Sequence, residues 1–192
     1  MTLAASLIGV TSLLLNAKGN PLGQLLTIIF SVFYGIISFS FAYYGEMITY
    51  LGMTAPMAVF ALVMWLRHPY NGKRSEVAVN RISGKEAILM LFLATAVTAV
   101  FYFILDAFDT ANIVPSTISV TTSFLAVYLT ARRSEYFPLA YAANDIVLIV
   151  LWTLAAMSDI SYISVVICFA MFLANDIYGF INWSRMKRRQ NA

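Results

Sequence analysis

Apolar residues run along this chain in continuous blocks of about 20, broken by short clusters of Gly, Pro, Asn and charge. Seven blocks can be read, at residues 3–16, 22–43, 47–66, 86–106, 113–131, 137–157 and 160–183. The breaks between them are Asn16–Pro21, Tyr44–Glu46, Arg67–Lys85, Ala107–Asn112, Arg132–Tyr136 and the turn at Ser158-Asp159. An α-helix rises about 1.5 Å per residue, so a block of this length matches the hydrocarbon thickness of a bilayer. A membrane β-barrel would show strands of about 10 residues alternating polar and apolar, and no block alternates in that way. The pattern predicts an all-α integral membrane protein of seven transmembrane helices, the first of them short or tilted.

Composition agrees. Of 192 residues, 61% are hydrophobic and 11% charged, with a mean hydropathy of +0.81. A soluble domain is nearer half apolar and one quarter charged, and a chain this short has too little interior to hide the excess from water. The single cysteine, Cys168, excludes an internal disulfide and a thiolate zinc cluster. The single histidine, His68, has no partner at metal-ligand spacing. No P-loop, HExxH or Ser-His-Asp set is present, so no enzyme activity, cofactor or metal is expected. The seventh block carries no lysine for a retinal Schiff base. The Met1 segment lacks a basic n-region and a small-residue cleavage site, and is not expected to be a removed signal peptide.

Charge orients the blocks. The twelve basic residues are Lys18 in the first connector; Arg67, Lys73, Arg74, Arg81 and Lys85 in the third; Arg132 and Arg133 in the fifth; and Arg185, Lys187, Arg188 and Arg189 in the C-terminal tail. In a seven-span arrangement all of them fall on one side. The other side carries Glu46, Asp109 and Asp159 and no base. Basic residues in short loops stay cytoplasmic, so the N-terminus is expected outside and the C-terminus in the cytoplasm. The tail at Arg185–Arg189 then reads as a stop signal at the lipid surface rather than a nucleic-acid patch.

The third and seventh blocks close alike, as Phe60-Ala61-Leu62-Val63-Met64-Trp65-Leu66-Arg67 and Tyr178-Gly179-Phe180-Ile181-Asn182-Trp183-Ser184-Arg185. The first and fifth lead to similar connectors, Leu15-Asn16-Ala17-Lys18 and Leu129-Thr130-Ala131-Arg132. Three spans, one linker span and three spans is the simplest reading, with repeat 1 at about 3–66, the linker at about 86–106 and repeat 2 at about 113–183. Because three plus one is even, both repeats enter from the same side and are parallel, as in one class of small transporters. Trp-x-Arg at a membrane edge is also ordinary interfacial anchoring.

Ionisable groups inside a bilayer are costly and face a cavity or a partner. The carboxylates well inside the blocks are Asp145 and Asp176, each preceded by an asparagine, Asn144 and Asn175. No Lys or Arg lies within a block to pair with them. Tyr141 and Trp152 flank the first pair, and Phe172 and Tyr178 the second; Tyr141 and Asp145, four apart, share a helix face. An aromatic face beside a carboxylate suits a flat cation. The competing reading is that these Asn and Asp side chains hydrogen-bond neighbouring helices. Pro56 removes one backbone hydrogen bond from the third span and predicts a kink or flex point there. Gly35 and Gly179 would allow close helix approach.

Several stretches carry a resemblance. Tyr43-Tyr44-Gly45-Glu46 leads into Met53-Thr54-Ala55-Pro56-Met57 and on to Trp65-Leu66-Arg67-His68-Pro69. With Ala142-Ala143-Asn144-Asp145-Ile146-Val147 and Asp176-Ile177-Tyr178-Gly179-Phe180-Ile181-Asn182-Trp183, these resemble the PnuC family of vitamin-precursor transporters, from Gly9 to about Arg189. The resemblance implies a three-plus-one-plus-three fold similar to that of SWEET sugar transporters. It implies nicotinamide riboside as substrate, moved by facilitated diffusion and trapped by cytoplasmic phosphorylation for NAD synthesis. Many members carry Trp-x-x-Trp before the polar pair of the sixth span; here the stretch reads Phe137-Pro138-Leu139-Ala140-Tyr141. Phe137 and Tyr141 take the place of those faces.

The expected substrate contacts are Asn144 for the carboxamide or ribose and Asp145 for charge or a ribose hydroxyl. Tyr141, Trp152 and Tyr178 are expected at the ring, and Asn175 and Asp176 as the second polar pair. Thiamine, another flat cation carried by relatives of the same fold, is the alternative substrate. A seven-helix receptor without flux, or proton-coupled transport through Asp145 or Asp176, are the further readings. The partners implied are the small-molecule substrate and the lipid of a cell membrane, with no nucleic acid; a homo-oligomer is compatible with the pattern.

Overall fold

The computed structural model describes residues 2–40, 47–110 and 112–192. Seven helices follow in order: α1 (Thr2–Ala17), α2 (Leu22–Ser40), α3 (Ala55–Arg67), α4 (Gly84–Ala107), α5 (Ile113–Ala131), α6 (Phe137–Ser158) and α7 (Ile163–Gln190). A π-helical turn, Thr49–Thr54, leads into α3, and a short 3₁₀ turn, Ile160–Tyr162, leads into α7. Five spans are long and apolar enough to cross a membrane: Thr49–Arg67, Gly84–Ala107, Ile113–Ala131, Phe137–Ser158 and Ile163–Gln190. The apolar stretches Leu7–Ala17 and Leu22–Ile37 are shorter. The connector Tyr44–Glu46, and the part of the resemblance at Tyr43–Glu46, lie outside the described residues.

Outward-facing side chains bear out the membrane reading. On α4, Ile88, Phe92 and Phe103 are each about 70% exposed, while Ala94 is its buried residue. Water would penalise such a surface, and lipid does not. The start of α4 is a capping box: Ser83 is extended and its hydroxyl accepts from the Glu86 backbone N–H at 3.2 Å.

The chain divides into two compact units: Met1–Arg81 with Thr130–Glu135 and Ile181–Ala192, and Ile82–Leu129 with Tyr136–Phe180. In the first unit, α1 and α2 meet through polar side chains. Gln24 Nε2 donates to Asn16 Oδ1 at 2.9 Å, and Asn16 Nδ2 donates to Thr27 Oγ1 at 3.2 Å. Close approach at Gly35 is as expected, since a Cβ there would fall 2.6 Å from Leu51 Cγ. Before Pro56 the helix widens to π winding, with the Ala55 N–H donating to Tyr50 O. A missing N–H at Pro56 makes that widening locally inexpensive.

Two indoles organise the basic end of this unit. Trp65 and Trp183 are fully buried, with ring centroids 5.3 Å apart. Trp65 Nε1 donates to Thr130 O in the last turn of α5 at 2.8 Å. Trp183 Nε1 donates to Asn16 O in the last turn of α1 at 3.0 Å, and Asn182 Nδ2 to Ala17 O at 2.8 Å. Both carbonyls also accept a turn N–H, Asn16 O from Gly19 at 3.0 Å and Thr130 O from Arg133 at 2.9 Å, so each indole fills the second lone pair of a helix-end carbonyl.

The Arg67–Lys85 connector is not without secondary structure: β1 (Pro69–Tyr70) and β2 (Lys73–Val77) pair antiparallel. Asn71 and Gly72 both have positive φ, 47° and 74°, the requirement of a type I′ hairpin turn. Nor does the last helix stop near 183. It runs on through Arg185–Arg189 to Gln190. Lys187 pairs with Glu135, Arg189 with Glu76, and Gln190 Oε1 accepts from the Val79 N–H at 2.7 Å. The basic tail is thus tied to the hairpin and to the α5–α6 turn. Val77, fully buried, donates its N–H to Gly19 O at 3.0 Å. Gly19 has φ +67°, and a Cβ there would meet Met186 Cε at 2.8 Å. Within the α5–α6 turn, burial and then the adjacent Arg132 pull the Arg133 guanidinium below its ordinary pKa; its Nη1 donates to Ala78 O at 3.3 Å.

Trp65→Phe keeps most of the ring but loses the N–H to Thr130 O, and should cost about 1 kcal/mol. Trp65→Ala or Trp183→Ala should cost about 3–5 kcal/mol by emptying a packed site. Thermal unfolding in detergent micelles measures both; equal melting of Trp65→Ala and the parent chain would show that the indole pair does not hold this end together.

Candidate functional site

The second unit holds the intramembrane carboxylates, and its helices explain their setting. α5 carries six hydroxyl residues within Ser116-Thr117-Ile118-Ser119-Val120-Thr121-Thr122-Ser123. A hydroxyl on a membrane helix can satisfy itself by donating to the carbonyl one turn back. Thr117 donates to Ile113 O at 2.7 Å, and Thr121 to Thr117 O at 3.1 Å. The stripe splits into two faces. Thr117 and Thr121 join Thr95, Thr98, Ala99 and Tyr102 of α4 around a cleft of about 350 Å³, where the Thr98 and Thr121 hydroxyls lie 2.7 Å apart.

The other face is Ser119, Thr122 and Ser123, spaced i, i+3, i+4 and so adjacent on the helix. All three hydroxyls converge on one atom, Asn144 Oδ1 of α6, at 3.1, 2.8 and 3.1 Å. These α5 residues are absent from the sequence expectations. Six hydroxyls in eight positions of a span is the signal that would have drawn attention to them.

Asn144 and Asp145 are both buried, 8% and 4% exposed, as is Asp176 of α7 at 8%. The carboxyl groups of Asp145 and Asp176 are neighbours. Asn175 Nδ2 lies 3.4 Å from Asp176 Oδ1, a long contact, and Cys168 is a further neighbour of Asp145. Asp145 Oδ2 is buried with no hydrogen-bond partner among the described residues. The unit contains one basic residue, Lys85 at the start of α4. Two carboxylates this close repel when both are ionised, so such a pair either shares a proton or gathers a cation.

The fold thus brings Asp145 and Asp176 together, with Asn175 beside Asp176 and the Asn144 side chain engaged by α5. The expected aromatics divide. Tyr141 is half-buried one turn before Asp145, its ring edge-to-face with Phe137 at 6.1 Å. Trp152, two turns beyond, packs on Tyr162 at 5.4 Å. Tyr178 is 47% exposed; two residues from Asp176 is more than half a helical turn, so it points away from the carboxylates. The first unit holds an aromatic cluster that the sequence reading did not single out, in which Tyr34 and Tyr50 lie 4.5 Å apart with Phe30 stacked on Tyr34 at 5.5 Å.

Comparison with known proteins bears on this arrangement. A family model described as nicotinamide mononucleotide transporter matches residues 1–185. The nicotinamide riboside transporter PnuC of Neisseria mucosa is 25% identical, the match covering 98% of this chain and 73% of that protein. The nicotinamide riboside transporter PnuC of Haemophilus influenzae is 21% identical, covering 100% of this chain and 82% of that protein. A structure described as the crystal structure of the vitamin B3 transporter PnuC superposes with a TM-score of 0.77 at 25% identity, over 97% of this chain and 82% of that one. All three relatives are named as transporters.

If the carboxyl pair serves a ligand rather than the fold, removing one charge should stabilise the empty protein. Asp176→Asn keeps the shape and is expected to raise the melting temperature in detergent by about 2–4 °C, the equivalent of about 1 kcal/mol in a chain of this size. A fall of similar size would mark the pair as structural.

Proposed function

Because the chain belongs to the nicotinamide mononucleotide transporter family, we propose that it is a uniporter for nicotinamide riboside, passing it into the cytoplasm for NAD synthesis. The family description names a mononucleotide, and the PnuC relatives are named for the riboside. The two ligands differ by a phosphate, and charge discriminates between them. Phosphate is held by Arg, Lys or helix N-termini. The observation that carries the reading is the opposite arrangement: Asp145 and Asp176 side by side, buried, in a unit whose one basic residue is Lys85. Such a site attracts the cationic pyridinium ring and repels a phosphate.

In this reading Asn144 contacts the carboxamide or a ribose hydroxyl. Asp145, whose Oδ2 lacks a protein partner, and Asp176 balance the positive charge, with Asn175 beside them. Tyr141, one turn before Asp145 on α6, offers the aromatic face, and Trp152 and Tyr178 contact the ligand only if their helices move. Flux follows the gradient, with no ion coupled to it, and intracellular phosphorylation keeps that gradient inward.

We further propose that α1–α3 and α5–α7 are like-oriented repeats joined by α4, with the basic end cytoplasmic and the N-terminus outside. The reciprocal indole bonds support this: the tryptophan ending α3 caps α5, and the one near the end of α7 caps α1. Thr130 and Asn16, the two acceptors, stand at matching offsets in the two halves. Twelve bases gathered at one end support the orientation.

Proteoliposomes loaded with unlabelled nicotinamide riboside should exchange it for the labelled compound without a pH gradient. Thiamine and nicotinamide mononucleotide should compete poorly. Asp145→Asn should weaken riboside binding at least about tenfold, or about 1.4 kcal/mol. Preferential competition by thiamine or by the mononucleotide would reassign the substrate. Binding without counterflow would make the protein a receptor, and loss of accumulation in Asp145→Asn only under a pH gradient would make it a proton-coupled carrier.

A further inference from the structure

Three hydroxyls meeting one amide oxygen restrict what that amide can offer a ligand. Every hydrogen bond that Asn144 makes among the described residues ends on Oδ1, from Ser119 Oγ, Thr122 Oγ1 and Ser123 Oγ. The Asn144 carbonyl oxygen accepts over a broad range of directions, and the three hydroxyls gather on it. With Oδ1 engaged, the group left for a ligand is the Nδ2 amine, a donor only.

We propose that Ser119, Thr122 and Ser123 are positioning residues for substrate recognition. Their hydroxyls clamp the Asn144 amide with its NH₂ turned to the ligand, so that the site selects an acceptor oxygen on the permeant molecule. This rests on the riboside reading above and gives it a specificity rule. The carbonyl oxygen of the ligand's carboxamide is recognised, and the carboxamide NH₂ is not required by Asn144. The clamp is built on a rigid element, since the three residues occupy consecutive turns of one face of α5. Thr122 has one hydroxyl hydrogen, and of the three carbonyl oxygens within its reach Asn144 Oδ1 is the nearest, at 2.8 Å against 3.1 and 3.0 Å for Ile118 O and Ser119 O. A hydroxyl that shuttled freely could present Asn144 in either orientation. Three of them set at i, i+3 and i+4 hold one.

The role of these hydroxyls differs from simple packing. Packing would make each residue matter for stability and leave ligand preference untouched. Clamping makes them matter for which analogue binds.

The test uses full-length protein in detergent or liposomes and three pyridinium ribosides. The first carries the natural 3-carboxamide, the second a 3-acetyl group (acceptor kept, NH₂ lost), and the third a 3-methyl group (neither). The parent protein should bind the carboxamide and acetyl ribosides within about twofold of each other and the methyl riboside about tenfold more weakly, one good hydrogen bond's worth. In the Ser119→Ala/Thr122→Val/Ser123→Ala variant the carboxamide and acetyl compounds should weaken towards the methyl one, and the preference should collapse. Thr122→Ser, which keeps a hydroxyl, should retain it. The single Thr122→Val variant provides the same reading if the triple variant fails to fold. Acetyl and methyl ribosides binding equally weakly to a parent protein that binds the carboxamide riboside would overturn the clamp alone. An unchanged preference in a folded triple or single variant would do the same. Failure of the parent to bind any of the ribosides would overturn the substrate reading, and the clamp's specificity rule with it.

Discussion

A polar group inside a bilayer has no water to fall back on, and that constraint shapes nearly every contact in this protein. An amide or hydroxyl left without a partner in hydrocarbon costs several kcal/mol. The chain meets the demand in three ways. Isolated hydroxyls such as Thr117 donate to the carbonyl of the preceding turn. Side-chain amides are enclosed by other side chains, as Asn16 is by Gln24 and Thr27, and Asn144 by three hydroxyls. The last carbonyls of α1 and α5 receive indole N–H groups. Against this background two buried side-chain atoms lack a partner among the described residues, Arg133 Nε in the α5–α6 turn and Asp145 Oδ2 within a span.

The same constraint decides where stability resides. Lipid tails are as apolar as leucine, so burying aliphatic side chains between helices gains little over leaving them in the bilayer. Close packing and directed hydrogen bonds must do more. That is the setting in which two tryptophans, fully buried against each other, become the main fastening of the basic end. The hairpin and the last turns of α7 extend the fastening into the water-exposed region, where charge pairing with Glu76 and Glu135 is available.

Much of this was legible from residue order, for reasons specific to each element. α5 begins and ends where the apolar block does, at 113 and 131, because Asn112 and Arg132 bracket it. α6 agrees to within one residue for the same kind of reason. The extension of α7 through four basic residues was not legible, since a run of charge past a membrane span reads as solvated tail until Glu76 and Glu135 are known to be opposite. The hairpin could have been read: Asn71-Gly72 is a strong turn signal, masked here by a connector short of alternating residues. At the site, the two Asn-Asp pairs were visible because charge is rare in a span. Their meeting, and the convergence of Ser119, Thr122 and Ser123 on Asn144, depend on which faces of three helices come together. Hydroxyl spacing alone does not say that, because a hydroxyl on a helix can instead donate to a carbonyl of its own preceding turn. Tyr178 is the converse case, its distance from Asp176 already implying a different face.

A site that moves a cation must hold it well enough to draw it from water and loosely enough to release it. A single buried carboxylate facing a pyridinium ring would meet the first demand and strain the second, since an unscreened pair in low dielectric attracts strongly. Two adjacent carboxyls alter the balance. On the proposed reading, a cation between them offsets the repulsion of their ionised forms, and the same neighbours offer it more than one place to rest. Asn144, with no charge of its own, then distinguishes one flat cation from another at little cost to release. Charge on this view governs entry and exit, and the neutral amide governs identity. That division would suit the proposed uniporter, for which tight binding would slow transport without adding selectivity.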